Sequence, residues 1–194
     1  MSVQVPAVQR VVLVEGPSDA AVLRVLADAR GRSLEDEGVD VISMGGATNI
    51  GHYLRRFGPR GRRLILAGLC DAGEERFFRR ALQGEGFSTR TRDEMARQGF
   101  YVCDVDLEDE LLRALGVEAV EAILEREGEL GLFRRFQWQP AQRQRAIHDQ
   151  LHRFAGVRSG RKVRFAASMA SELTREDVPA PLRALLEFVI PADE

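Results

Sequence analysis

The sequence predicts an α/β fold in which a parallel four-stranded sheet is flanked by helices and followed by a C-terminal helical extension. Three observations carry this reading. Short apolar, β-branched runs alternate with helical patterns through the first half of the chain. Two of those runs, Val11-Val12-Leu13-Val14 and Leu64-Ile65-Leu66-Ala67-Gly68-Leu69-Cys70, lead straight into an acid, Glu15 and Asp71. Beyond the last such run only helical patterns remain. A β-α-β-α-β-α-β alternation implies parallel strands joined by right-handed crossovers.

The elements follow in order. Val11 to Glu15 reads as a first strand. Gly16-Pro17 then allows a tight turn into a helix over 18–30, with Ala21, Val22, Val25 and Leu26 on one face. Val39 to Met44 is a second strand, Gly45 to Asn49 a loop, and Ile50 to Phe57 a short helix. Gly58-Pro59-Arg60-Gly61 breaks the chain. Leu64 to Cys70 is a third strand, Glu74 to Gln83 a helix, and Gly99 to Val105 a fourth strand. Leu107 to Leu115, Glu118 to Glu127, Ala141 to Phe154, Lys162 to Leu173 and Pro181 to Val189 all read as helices. The expected division is an α/β core over 9–110 and a helical extension over 111–194.

The composition suits one such domain: 194 residues, 44% of them hydrophobic. Cys70 and Cys103 are the two cysteines, with no paired spacing for zinc, so a reduced, cytoplasmic setting is expected. The first ten residues lack the pattern of a signal peptide, and no apolar run is long enough to span a membrane. The net charge of −2 hides an asymmetry. Ten acids lie between Phe100 and Leu130 against Arg113 and Arg126, and nine bases lie between Arg134 and Arg164 against Asp149. Such blocks suit a metal site beside a phosphate-binding surface, or two helical faces that neutralise each other.

In an open parallel sheet, ligands bind at the C-terminal ends of the strands. Those ends carry Glu15, Asp71 and the cluster Asp104, Asp106, Glu108. Asp19, four residues after Glu15, can face the same point or serve only as a helix N-terminal acid. Acids brought together at adjacent strand ends repel, and without a cation one is driven to protonate. Oxygen-only ligands suit Mg²⁺ or Mn²⁺, and with His52 the nearest histidine in sequence, zinc is disfavoured. Asp104 and Asp106 share a face if the strand continues that far, and most acids of that cluster are expected to be solvated. Lys162 is the one lysine in the chain. A compact ammonium beside a phosphoryl oxygen is a task arginine does poorly. Gly156 to Lys162 imitates a phosphate-binding loop but lacks its spacing and its following hydroxyl residue. Gly45 to Asn49 reads as a β-to-α turn, with phosphate binding a weaker alternative. Trp138 and Phe136 read as core aromatics, with base stacking the alternative.

Leu13-Val14-Glu15-Gly16, followed by a strand ending in Asp71, resembles the Toprim domain, a Rossmann-like metal-binding fold. The chain most resembles the Toprim domain of the overcoming lysogenization defect (OLD) family of nucleases, over roughly residues 9 to 165. The resemblance implies a first motif on Glu15 and Asp19, a first acid of an Asp-x-Asp motif on Asp71, a later acid on Glu108, and a site lysine on Lys162. It also departs from this chain. Gly73 stands where the second acid of Asp-x-Asp belongs, leaving Glu74 or Glu75 as candidates to replace it, with Asp106 an additional candidate for the site. No ATPase domain precedes the Toprim pattern, which implies a separate ATPase partner or a stand-alone relative.

The functional expectation is a Mg²⁺- or Mn²⁺-dependent nuclease that cleaves DNA phosphodiester bonds. Glu15, Asp19, Asp71 and Glu108 are the expected ligands, and Glu15 and Lys162 the expected catalytic groups. The basic segment, with Arg158, Arg161 and Arg164 foremost, is expected to grip the nucleic acid backbone. The alternative is a catalytically degraded Toprim module that binds nucleic acid or a partner ATPase. A small-nucleotide binder using Gly45 to Asn49 is a third and weaker possibility.

Overall fold

The computed structural model describes residues 9–156 and 159–190. The four strands are β1 (Arg10–Val14), β2 (Val39–Ser43), β3 (Ile65–Asp71) and β4 (Phe100–Cys103). They form one parallel sheet in the order β2-β1-β3-β4. The chain leaves β1 for β2 on one side and crosses to β3 on the other, so the direction of winding reverses between β1 and β3. That reversal is the crevice where open α/β sheets bind ligands.

Period-2 alternation splits the strands between two cores. Val11 and Leu13 of β1 face helices α2 (Ile50–Phe57), α3 (Glu75–Gly84) and α4 (Arg92–Arg97), packing with Leu54, Phe78, Met95 and Phe100. Val12 and Val14 face the larger core. It draws on α1 (Pro17–Asp28), α5 (Leu107–Arg126), α6 (Leu130–Gln137), α7 (Ile147–Gly156), α8 (Ser159–Glu172) and α9 (Ala180–Val189). Each fully buried aliphatic side chain is worth roughly 1.5–3 kcal/mol of transfer free energy. Gly68 allows β1, β3 and β4 to close up, because a Cβ there would lie 2.9 Å from the Leu13 carbonyl oxygen and from the Phe100 ring.

The expected strands all form, each within about two residues of its predicted ends. Several helical expectations are corrected. The two helices expected over 107–127 run together as α5, bent at Gly116, whose φ of 77° and ψ of 166° are not helical. Helix α7 starts at Ile147 and not at Ala141, because 139–145 forms turns. Helices α4 and α6, of six and eight residues, are additional. The fourth strand stops at Cys103, so Asp104 and Asp106 do not share a strand face. Asp106 is instead the N-cap of α5, accepting the Asp109 amide at 2.9 Å. Among the described residues, no helix is long and apolar enough to cross a membrane.

Candidate metal centre

A cleft of about 440 Å³ opens at the C-terminal ends of β1 and β3. Glu15, Asp19, Asp71, Glu108 and Lys162 all line it, together with the Gly45-Gly46 turn after β2. Five separate elements deliver those side chains. β1 ends one residue before Glu15, and the amide of Asp71 donates to Glu15 Oε1 at 3.0 Å across the point where winding reverses. Asp19 sits in the first turn of α1, where the Gly16 amide donates to its Oδ2 at 2.8 Å. The helix-terminus role weighed for Asp19 is therefore real and coexists with its place in the cleft. Glu108 lies in the first turn of α5 and is only 4% exposed. Lys162, from α8, brings Nζ within 3.2 Å of Glu108 Oε2.

The electrostatics show strong mutual repulsion. Burial, then the charges of Glu15, Asp19, Asp106 and Glu108, push the Asp71 carboxyl up to about 8. Burial, with Glu108 and Glu15 adding to it, lifts Asp19 to about 6 against the pull of the Gly16 amide. Burial also raises Glu15 and Glu108; the Asp71 amide opposes it at the first, the Lys162 ammonium at the second. For Lys162, burial works against its charge, but Glu108 and the other acids outweigh it and raise its pKa. Glu108 Oε1 is buried and has no hydrogen-bond partner. An orphaned carboxylate oxygen amid like charges is what a hard divalent cation satisfies, and the all-oxygen donor set fits one. Among the described residues, no three Asp, Glu, His or Cys side chains converge on a single point as they stand. The four carboxylates ring the cleft.

The remaining candidates separate. Glu74 is close enough for its charge to raise Glu15. Glu75 faces away and bridges Arg79 and Arg92. Gly73 is exposed, and a Cβ there would meet nothing within 4 Å. Asp106 is held by His152, whose Nε2 lies 2.7 Å from Oδ2. Burial works to raise Asp106, but His152 and the Asp109 amide hold it below its ordinary range.

The acids after β4 are not mostly solvated. Glu108, Asp109 and Glu110 are all buried, and only Asp104 of the charged cluster is open. Asp109 pairs with Arg113 at 2.7 Å and with His148 at 2.8 Å, while Glu110 accepts the Asp104 amide. Sequence reasoning missed His148 and His152. Nitrogen donors reach this acidic turn from α7, whereas His52 is exposed on α2. The available signal was the i, i+4 spacing of His148 and His152, matching the i, i+3 spacing of Asp106 and Asp109.

The basic block behaves differently from a single phosphate-binding stripe. Arg161 is buried, its Nε 2.5 Å from Glu129 Oε2 and its guanidinium 4.4 Å from the Phe154 ring centroid. Arg164 pairs with Glu127 and Glu129, and Arg134 with Glu121. Arg161 and Arg164 thus belong to ion pairs that neutralise the acidic block on neighbouring helices. Arg158 lies outside the described residues.

A parallel sheet of this order, with acids at the reversal of winding and a helical half closing over them, defines a Toprim-type α/β domain. The family model for the overcoming lysogenization defect protein-like TOPRIM domain matches residues 8–64, a segment that includes Glu15 and Asp19 and stops before Asp71. The C-terminal region of the Burkholderia pseudomallei OLD protein has the same fold, with a TM-score of 0.72 at 23% identity, covering 94% of this chain and 96% of that one. The C-terminal region of the Xanthomonas campestris pv. campestris OLD protein gives a TM-score of 0.70 at 26% identity, covering 93% of this chain and 91% of that one. No curated protein matches by sequence. Residues 8–64 thus match the OLD-like Toprim family model, and the chain as a whole has the fold of the C-terminal regions of OLD proteins.

Proposed function

We propose that this protein is a divalent-metal-dependent nuclease that hydrolyses DNA phosphodiester bonds. The observation that carries the reading is the single cleft in which Glu15, Asp19, Asp71 and Glu108 face Lys162. The four acids would hold Mg²⁺ or Mn²⁺, with Asp106 and Glu74 beside them. Such an ion supplies charge neutralisation at the phosphoryl group and acidifies water. The protein's own groups do the rest. Glu15, fixed by the Asp71 amide, stands at the crevice between β1 and β3 as the acid nearest the reversal of winding. Lys162 sets a fixed positive charge where negative charge develops, a contribution typically worth ~10²–10³ in rate. The like charges that raise Asp71 and Asp19 favour cation capture over a neutral ligand.

Cleavage of supercoiled plasmid in Mg²⁺ or Mn²⁺ tests this. Wild type is expected to nick or linearise the plasmid, with Glu15→Ala and Asp71→Ala inactive and EDTA abolishing the reaction. Cleavage unchanged in both variants, or indifferent to EDTA, rejects the site.

Gly73 favours a second reading, in which the missing acid has left a module that binds nucleic acid or a partner ATPase without cutting. DNA binding with no cleavage in either metal supports that reading. Cleavage that appears only on adding an OLD-type ATPase supports the nuclease with a separate partner.

A further inference from the structure

Trp138 is 71% exposed, so the core role expected of it is overturned. An indole left in water is held there by its surroundings. Trp138 closes α6, and the turns that follow are pinned by the buried Gln150. Gln150 Nε2 donates to the carbonyls of Gln142 (2.9 Å) and Arg145 (3.1 Å), and its Oε1 accepts from Gln137 at 2.7 Å. The Arg143 side chain donates to the Trp138 carbonyl at 2.7 Å and sets its guanidinium 5.6 Å from the ring centroid. The ring is therefore presented by a built turn and not by core packing.

The turn that follows Trp138 borders a groove of about 660 Å³, to which it gives Arg145, and which Phe136, His152, Arg153 and Asp149 also line. Gln142 also lines it, and the Oε1 of this buried side chain has no partner. Arg145 and Arg153 are exposed, and no acid pairs with either among the described residues. Gly156 lines both this groove and the carboxylate cleft, so the two adjoin at that residue.

We propose that this groove carries a single-stranded segment of nucleic acid away from the cleft, with a base stacked on Trp138 and phosphates on Arg145 and Arg153. The inference rests on reading the cleft as a nucleic-acid site. An exposed aromatic on the turn that also carries a groove-lining cation suits unstacked bases, whose faces a duplex hides. The orphaned Gln142 oxygen offers an acceptor to a base edge or sugar hydroxyl.

Trp138 is the one tryptophan in the chain, so its emission reports this place alone. The protein, in EDTA to prevent cleavage, is titrated with a labelled oligothymidylate and with a duplex of equal length. Tryptophan emission and probe anisotropy are read together. The expected result is saturable quenching by the single strand, with the same midpoint as the anisotropy, and little change with the duplex. Trp138→Ala, at an exposed position, keeps its fold by circular dichroism and loses ~10-fold or more in single-strand affinity. Arg145→Ala with Arg153→Ala lowers the salt dependence by about 1.4 in log–log slope. Single-strand binding with unchanged emission overturns the groove and leaves the nuclease reading intact. Equal quenching by the duplex overturns the strand preference. Failure of every nucleic acid to bind, in Ca²⁺ as in EDTA, removes the reading of the cleft and the groove proposal with it.

Discussion

Asp71 and Lys162 act on opposite sides of the same electrostatic balance. A carboxyl whose pKa is raised in the folded state contributes stability that is complete below its unfolded value and lost as pH rises through its folded value. Asp19 loses its share towards about 6 and Asp71 towards about 8, starting from an ordinary 3.8. His152, raised by its bond to Asp106, adds the same sign as pH climbs past 6.5. The metal-free protein should therefore melt at progressively lower temperature from pH 5 to pH 8. Mg²⁺ or Mn²⁺, which bind the deprotonated acids, should flatten the fall, as should Asp71→Asn. Melting curves in EDTA across that interval measure it, and a Tm that rises with pH in both proteins contradicts it. Removing Lys162 works in the other direction. Lys162→Met leaves Glu108 buried without its partner and should cost about 1–3 kcal/mol in urea unfolding. Adding Glu108→Gln to that variant should recover most of the loss, because the two side chains form one coupled pair.

At the scale of the element, the turn between β3 and α3 decides how many acids the cleft receives. Gly73 has ordinary backbone geometry and open space around it, so Gly73→Asp should fold normally and add an acid where the family pattern has one. A tenfold gain in metal affinity adds about 1.4 kcal/mol of ligand-linked stability at saturating ion. For a chain of this size that is about 3–6 °C of further Tm rise on adding Mn²⁺. An identical metal-induced shift in wild type and variant would mean that the turn does not face the ion. The elements themselves were largely readable, because β-branched runs ending at an acid or a glycine are strong local signals. Helix α4 escaped because six residues make fewer than two turns and carry too little periodicity to register. The 139–145 turns escaped because their fixing partner, Gln150, acts through side-chain bonds that have no sequence pattern.

At the scale of the molecule, the helices that follow β4 are held to one another by both apolar contact and buried charge. Arg161 joins α8 to Glu129, ahead of α6, and to Phe154 of α7. Arg161→Ala should therefore destabilise the fold by about 1.5–3 kcal/mol, through lost packing on Phe154 and the loss of one of the two arginines that pair with Glu129, with nucleic-acid affinity per folded molecule unchanged. Chemical denaturation and a binding assay on the same sample separate the two effects. The charge blocks illustrate what one dimension conceals. Their neutralisation was one of two readings at the sequence level, and only the helix packing selects it for Arg134, Arg161 and Arg164.

The chain's own residues determined the parallel α/β core, the acids at its strand ends and the OLD-like Toprim motif, because strand propensity, turn chemistry and motif spacing are local properties. The tertiary structure alone decided which distant groups meet. It brought Lys162 to Glu108 and His152 to Asp106, buried Arg161 and left Trp138 in water. Those outcomes depend on how helices pack over the sheet, where charge pairing and burial are settled between segments that share no local signal.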